Sequence, residues 1–299
     1  MAEEPSHTSV GAGEYEQWNQ IWSDLDDRDR QLYTRGKPRT CRQLGQRCYF
    51  EDLWSMLGQN RSAKCLEMGA GRGTTSMYLT AQGCDVTMLD LAPKAFEAAA
   101  SNFRRENLRV PHFVAANATD TGLPSGSYDC IYSIGLLEHF DDPKPLLVES
   151  LRLLRPGGLA FHVVVPTVPE RRMVLSYALF APWKLPPRRF KDAANRLLGR
   201  RTKGRFEEMT RTEFDAADYR RWLSELSAED VACLPYNAYH LPHRNRALER
   251  LLVVPAYRAH RACKRRLGRA PWTRTGAALA ACVLVAFRKP ALRDPTSAA

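Results

Sequence analysis

Between residues 61 and 165, short apolar runs alternate with longer segments in which apolar residues recur at helical spacing. Each apolar run has the length of a buried strand and is bounded by Gly, Pro or polar residues. The runs predict strands at residues 63–68, 84–89, 112–115, 128–134 and 159–165. Strands that alternate with helices in this way form a parallel sheet covered on both faces. The ligand of such a sheet is expected at the carboxyl ends of the strands.

The segments between these runs predict the helices. One covers residues 74–81, and a second covers 93–106 with a proline at its start. A third carries leucines on its core face and ends at the Arg-Pro-Gly-Gly sequence of residues 155–158; these leucines are Leu147, Leu151 and Leu154. We take residues 61–165 as the core of an α/β, Rossmann-like, doubly wound fold.

The pattern differs on either side of this core. Residues 1–60 are polar and aromatic and predict helices, one of them at 49–57. Another carries three aromatic residues on one face at spacing i, i+3, i+7, namely Tyr15, Trp18 and Trp22. Residues 166–225 mix apolar patches with basic runs, which indicates an inserted, mainly helical cap. Residues 226–299 contain two late strand patterns, at 230–234 and 280–287, on either side of an Arg-rich helical stretch at 244–269.

Charge is distributed unevenly along the chain. The 299 residues include 44 Lys and Arg against 33 Asp and Glu, a formal net charge of +11. Two segments, 171–205 and 235–275, hold 21 of the basic residues and only two of the acids. The rest of the chain is therefore acidic. Basic segments of this kind contact nucleic acid or a membrane surface, or simply face solvent.

Composition excludes several classes of protein. The eight cysteines never occur as CxxC, so we expect reduced core thiols and no zinc site. The longest apolar run, 276–287, has 12 residues and is too short to span a bilayer. The first residues are acidic and show no apolar leader. Together these features predict a cytoplasmic protein.

The clearest motif follows the first predicted strand. It reads Glu67-Met-Gly-Ala-Gly-Arg-Gly73, an ExGxGxG pattern and not the GxGxxG of dinucleotide-binding proteins. Glycines allow a tight turn and close approach of the backbone to a ligand. An acid before the first glycine would repel a pyrophosphate and suits a ligand that carries an ammonium group. Asp90 then ends the second strand, where a carboxylate can accept two ribose hydroxyls.

Three further motifs follow in order along the chain. They are Asn117-Ala-Thr119, the segment Ser127–His139 with its Leu-Glu-His ending, and Arg152-Leu-Leu-Arg-Pro-Gly-Gly158. Together with the first two motifs, they resemble the class I S-adenosylmethionine-dependent methyltransferases. The resemblance is specific to the small-molecule, type 11-like branch with an LEH…PGG ending. It implies a mostly parallel, seven-stranded sheet that the two late strands complete.

The resemblance also implies roles for individual residues. Glu67 would hold the amino group of S-adenosylmethionine, which leaves the reaction as S-adenosylhomocysteine. Asp90 would hold the ribose, although a strand-end Asp is also a common helix N-cap. The other expected cofactor residues are Gly69, Ala70, Gly71 and Gly73 beneath the methionine part, Leu91, Asn117 and Ala118 around the adenine, Ser133 and Gly135 behind the methionine part, and Tyr15 and Trp22 in a closing N-terminal helix. Asn117 stands where the family often has Asp.

Three residues are candidates for catalysis by proton transfer: His139, His240 and Tyr236. His139 ends the LEH motif, and the other two lie in the loop after the sixth predicted strand. Each has an alternative interpretation as an ordinary packing or loop residue. In a metal-using branch of the family, E-x-x-E-H supplies a cation site, but Gly135 occupies the position of the first Glu here. We therefore expect no metal.

The sequence predicts an S-adenosylmethionine-dependent methyltransferase. The preferred reaction is O-methylation of a small-molecule, natural-product, lipid or saccharide acceptor that is hydrophobic or anionic. One alternative is a nucleic-acid methyltransferase that uses the two basic segments, and another is a binding module without catalysis. Peripheral contact with a membrane is a further alternative for the basic cap. The sequence leaves the oligomeric state and the methylated atom open.

Overall fold

Seven strands form one sheet in a computed structural model, which describes residues 16–20, 32–165, 214–236, 246–267 and 282–291. The strands are β1 (Lys64–Met68), β2 (Asp85–Asp90), β3 (His112–Ala115), β4 (Tyr128–Ile134), β5 (Leu154–Val164), β6 (Glu229–Tyr236) and β7 (Cys282–Arg288). Their order is β3-β2-β1-β4-β5-β7-β6. β1 to β5 pair in parallel, while β7 pairs antiparallel with both β5 and β6. The mostly parallel, seven-stranded sheet is therefore confirmed.

Helices cover both faces of the sheet. They are α1 (Cys41–Met56), α2 (Thr74–Gln82), α3 (Pro93–Arg105), α4 (Lys144–Leu153), α5 (Ala216–Glu225) and α6 (Arg246–Leu267), with a 3₁₀ turn at Leu137–His139. A further five residues, 16–20, are helical. No helix in these described ranges is both long and apolar enough to cross a membrane.

Alternate residues of the central strands feed two separate cores. Tyr132 and Phe161 belong to the cluster that also contains Leu53 of α1 and Tyr78 of α2. The neighbouring residues Leu66, Ile131 and Ala160 belong to the other cluster, with Leu147 of α4 and Leu223 of α5. This two-sided burial explains why the sequence shows near-continuous apolar runs instead of alternation.

The start of β5 differs from the sequence prediction. We expected Leu154 on the core face of a helix and a strand from 159, but the helix ends at Leu153 and Leu154 already pairs with Tyr128. The Arg-Pro-Gly-Gly sequence forms an irregularity within the strand. Lys289, the residue after β7, holds its backbone: Gly157 N–H donates to Lys289 O at 2.9 Å, and Lys289 N–H donates to Gly158 O at 3.0 Å.

The described end of the expected cap, residues 214–225, contains α5. This helix has an Asp215 N-cap with a capping box and packs against β6 and β7 through Trp222 and Leu223. Residues 166–213 lie outside the described part of the chain. The division of the sequence into a core and a cap stays a prediction.

Two acids at the carboxyl half of α1 join it to α6 and β6. Asp52 accepts hydrogen bonds from Tyr236 Oη at 2.7 Å and from Lys264 Nζ at 2.6 Å. Glu51 accepts from Tyr257 Oη at 2.8 Å. The described part of the Arg-rich stretch is one helix that continues through Pro255. One of its basic residues, Lys264, joins it to α1 through Asp52.

We expect Lys264→Met to lower the free energy of unfolding by about 2 kcal/mol, because it leaves a largely buried carboxylate without its cation. Urea denaturation measures this change. The matched control is Lys94→Met, which breaks an exposed ion pair with Glu97 and should change stability by less than about 0.5 kcal/mol. Equal effects of the two substitutions would contradict a stabilising role for the Asp52 cluster.

Candidate functional site

The glycine-rich motif forms the turn between β1 and α2. Gly69, Gly71 and Gly73 have φ angles of 62°, 48° and 66°, in the left-handed region that favours glycine. Side chains would also collide here: a Cβ on Gly69 would lie 2.6 Å from Leu136 Cδ1, and one on Gly73 would lie 2.6 Å from Met88 Cε. The turn therefore presents bare backbone at the carboxyl end of β1.

Asp90 connects this turn to the end of β2. Its Oδ2 accepts a hydrogen bond from Gly71 N–H at 2.9 Å, and its Oδ1 accepts one from Ala92 N–H at 2.9 Å. Each carboxylate oxygen keeps a lone pair for a further donor. The N-cap of α3 is Ala92, so Asp90 does not occupy the N-cap position of that helix. Burial raises the pKa of Asp90 above its ordinary value.

Glu67 is the second buried acid of the site, one residue before the end of β1. It accepts a hydrogen bond from Ser76 Oγ, which lies 2.7 Å from Tyr132 Oη. Burial raises the pKa of Glu67 to about 8. Within the described ranges, no Lys, Arg or His forms an ion pair with it. A buried carboxylate without a protein cation fits a ligand that brings its own positive charge.

Both acids lie where the strand order reverses. β1 is flanked by β2 on one side and β4 on the other, although β4 follows β3 in the chain. At such a switch point the connections leave in opposite directions and open a crevice for a ligand. Gly135 leaves β4 on the other side of this crevice with a φ of 77°. Ser133 instead points into the core, where its Oγ lies 2.9 Å from His162 Nδ1.

The two residues of the loop after β3 that were expected to contact the adenine, Asn117 and Ala118, make contacts within the protein. Asn117 Oδ1 accepts hydrogen bonds from the backbone N–H and the Oγ1 of Thr119, both at 3.0 Å, so its acceptor is used within the loop. Ala118 is buried in the core. Thr121 N–H donates to Glu149 Oε1 at 3.0 Å, and this bond fixes the loop to α4. The contribution of Asn117 to adenine binding stays a prediction.

His139 lies at the end of the 3₁₀ turn, next to the N-terminal helical segment. The ring centroid of Trp18 is 5.0 Å from that of His139, and the rings are nearly perpendicular. Asn19 Oδ1 accepts a hydrogen bond from Lys94 N–H at 3.4 Å. The segment therefore reaches both α3 and the turn after β4, as a helix that closes the site would. Tyr15 and Trp22 themselves lie outside the described residues.

Tyr236 ends β6 at the same edge of the sheet but points into the core. It is 1% exposed, stacks on Tyr49 and donates its hydroxyl proton to Asp52. Burial, with Asp52 nearby, raises the pKa of Tyr236 well above its ordinary value. His240 lies outside the described residues, so its role stays a prediction. His139 thus follows β4 at the carboxyl end of the strands, whereas Tyr236 is enclosed in the core.

Two hydroxyl groups of the site, those of Ser76 and Tyr132, have no counterpart in the sequence analysis. Ser76 follows the glycine motif by three residues, and Tyr132 stands in the strand before the LEH motif. Their closeness to those motifs was the only sequence feature that could have indicated them.

Among the described residues, no group of three or more His, Cys, Asp or Glu could hold a metal ion.

Comparison with known proteins agrees with this geometry. Residues 66–162 match the family model described as "Methyltransferase domain". A ubiquinone biosynthesis O-methyltransferase from Xanthomonas oryzae pv. oryzae (strain PXO99A) is 29% identical over 187 residues, which are 62% of this chain and 70% of the relative. A malonyl-[acyl-carrier protein] O-methyltransferase from Enterobacter lignolyticus (strain SCF1) is 33% identical over 129 residues, 42% of this chain and 49% of that protein.

A solved structure with little sequence identity has a similar fold. Geranyl diphosphate C-methyltransferase from Streptomyces coelicolor A3(2) has a TM-score of 0.56 at 13% identity and covers 94% of this chain and 100% of its own. The glycine turn, the two buried acids and the switch point all lie in the segment that matches, and S-adenosylmethionine-dependent methyl transfer is therefore the activity of this chain.

Proposed function

We propose that this methyltransferase transfers its methyl group to an oxygen atom of a small-molecule acceptor. The observation that carries the proposal is the similarity of residues 66–162 and their surroundings to relatives named as O-methyltransferases. One of these is named for ubiquinone biosynthesis and the other for a malonyl group on acyl-carrier protein. Both names specify O-methylation, so an acceptor that presents a hydroxyl or carboxylate oxygen is the class that we propose.

The residues of the crevice fit S-adenosylmethionine. Glu67 would accept hydrogen bonds from the ammonium group, and this contact would supply the cation that the described residues do not provide. Asp90 would accept the ribose hydroxyls on the lone pairs that Gly71 and Ala92 leave open. When bound, the cofactor supplies an activated methyl group on a sulfonium sulfur.

The protein itself then has two tasks, alignment and proton removal. Holding the acceptor oxygen in line with the methyl group contributes up to about 7–11 kcal/mol to lowering the barrier. An acceptor hydroxyl also loses a proton, and we assign its removal to His139. The edge-to-face contact with Trp18 would hold the imidazole at the rim of the crevice. General base catalysis of this kind contributes about 10²–10⁴ in rate.

The exposed face of α6 favours a second candidate function, methylation of nucleic acid. Arg258, Arg261 and Arg265 are exposed on this helix, and its one acid, Glu249, is buried against α1, where it accepts from Cys41 N–H at 2.7 Å. Binding to phosphates weakens steeply with salt. An assay with radiolabelled methyl groups separates the two functions: incorporation into catechols or carboxylic acids supports the first, and salt-sensitive incorporation into RNA supports the second.

We expect Asp90→Ala to weaken binding of S-adenosylmethionine at least about 100-fold, since it removes both the ribose acceptor and the brace of the glycine turn. Calorimetric titration measures the change, with circular dichroism as a check on folding. Asp85→Ala is the matched control, because Asp85 is an exposed carboxylate at the other end of the same strand, paired with Arg109 at 2.8 Å. Unchanged affinity of the Asp90 variant would refute the assignment.

We expect His139→Ala to lower kcat about 100-fold or more with an oxygen acceptor, while the Kd for the cofactor changes less than about threefold. His112→Ala, on the exposed side of β3, is the control and should behave like the wild-type enzyme. A normal kcat for the His139 variant would leave this residue with a packing role only.

A further inference from the structure

We propose that Ser76 and Tyr132 are positioning residues that orient the Glu67 carboxyl for the ammonium group of the cofactor, and that cofactor binding near neutral pH expels one proton from this buried group. The proposal rests on the assignment of Glu67 as the ammonium acceptor. In the balanced step, the protonated carboxyl of Glu67 and the ammonium group become a carboxylate–ammonium pair, and the proton leaves to solvent.

Three secondary-structure elements converge on the Glu67 carboxyl. Glu67 on β1 pairs in register with Tyr132 on β4, so both side chains stand on the same face of adjacent strands. Ser76 approaches from the first turn of α2, above that face. The three side chains are sealed from solvent: Glu67 is 4% exposed, and Ser76 and Tyr132 are 0% exposed.

When Glu67 is ionised, the available hydrogen atoms fix the direction of the bonds. Ser76 has one hydroxyl proton and donates it to Glu67 Oε2. Its oxygen is then an acceptor for the hydroxyl proton of Tyr132, whose Oη lies 2.7 Å away. The chain of donors therefore runs from Tyr132 through Ser76 to Glu67. This arrangement stabilises the ionised carboxylate, which is the form that an ammonium group requires.

The charged surroundings oppose ionisation before the cofactor binds. Burial is the main cause of the raised pKa of Glu67, and Asp90 on β2 adds a second negative charge. Tyr132 is the titratable group that faces Glu67 from β4, and its pKa is raised well above the ordinary value, so its hydroxyl stays protonated. α2 contributes only the hydroxyl and backbone N–H of Ser76. The free protein therefore keeps Glu67 largely protonated at pH 7.

The expected consequence is a cofactor affinity that rises with pH. Where Glu67 is protonated in the free protein and ionised in the complex, each unit of pH improves Kd about tenfold. The gain ends near pH 8, where Glu67 is ionised before binding. Loss of either hydroxyl removes a group that favours the ionised carboxylate, so the pKa of Glu67 should rise. The pH at which the affinity stops improving should rise with it.

The test is calorimetric titration with S-adenosylmethionine from pH 6 to pH 9, in pairs of buffers with different heats of ionisation. For the wild-type protein we expect a release of nearly one proton at pH 6.5 and a Kd that falls about tenfold per unit up to pH 7.5. Ser76→Ala and Tyr132→Phe should each weaken binding about tenfold at pH 7.5 and shift the pH profile upward. Ser76→Thr keeps the hydroxyl and should restore the wild-type profile.

Two matched controls use the same elements. Thr80→Val deletes a hydroxyl on α2 for which the described part of the chain offers no hydrogen-bond partner. Tyr128→Phe deletes a phenol hydroxyl at the opposite end of β4. Both should keep the wild-type pH profile. The amino group of the cofactor titrates identically against every variant, so differences between variants report on the protein.

The outcomes separate this proposal from its premise. If Glu67→Gln binds the cofactor with wild-type affinity and pH dependence, the ammonium assignment fails and the proposal fails with it. If Glu67→Gln loses affinity and pH dependence while Ser76→Ala and Tyr132→Phe keep the wild-type profile and proton release, the premise stands and the positioning role is refuted. A lower Tm with an unchanged pH profile in those two variants would likewise show a merely structural role.

Discussion

The bond between Asp90 and the backbone of Gly71 is the constraint on which the cofactor site depends. A turn of three glycines in left-handed conformations has little intrinsic preference for one shape. The carboxylate of Asp90 selects that shape, because it accepts from the turn on one oxygen and from Ala92 on the other. The ends of β1 and β2 are thereby locked together, and the crevice between β1 and β4 keeps a fixed floor.

This arrangement places two buried carboxylates in one site. Their mutual repulsion and their desolvation are costs that the folded protein carries before any ligand arrives. Hydrogen bonds from neutral donors reduce this free-energy cost: backbone N–H groups donate to Asp90, and the Ser76 hydroxyl donates to Glu67. Neutral donors hold a carboxylate in place without cancelling its charge. A site built in this way stays attractive to a cationic ligand, whereas an arginine partner would have satisfied it.

Much of the fold was predictable from local pattern. Strands β3 and β4 begin and end where the apolar runs do. For β4 the reason is that a strand buried on both faces leaves a near-continuous apolar signature. The glycine turn and Asp90 were equally visible, because their chemistry demands particular residue types. The early start of β5 was not, because it depends on contacts with distant residues, namely Tyr128 opposite Leu154 and Lys289 opposite Gly157 and Gly158. A Pro-Gly-Gly sequence, in addition, ordinarily marks the end of an element. The contacts of Ser76 and Tyr132 were not visible either, because they depend on the register of β1 with β4 and on the position of α2 beside them.

The position of β7 has a consequence for how the chain folds. This strand lies between β5 and β6 although it follows β6 in sequence by 45 residues or more. Until residues 282–288 leave the ribosome, β5 has an open hydrogen-bonding edge with apolar residues on both faces. Assembly therefore ends with a long-range insertion, a class of step that is slow and prone to aggregation. The nascent chain exposes this edge from the synthesis of β5 until the synthesis of β7. Its dependence on chaperones should therefore be greatest during that interval.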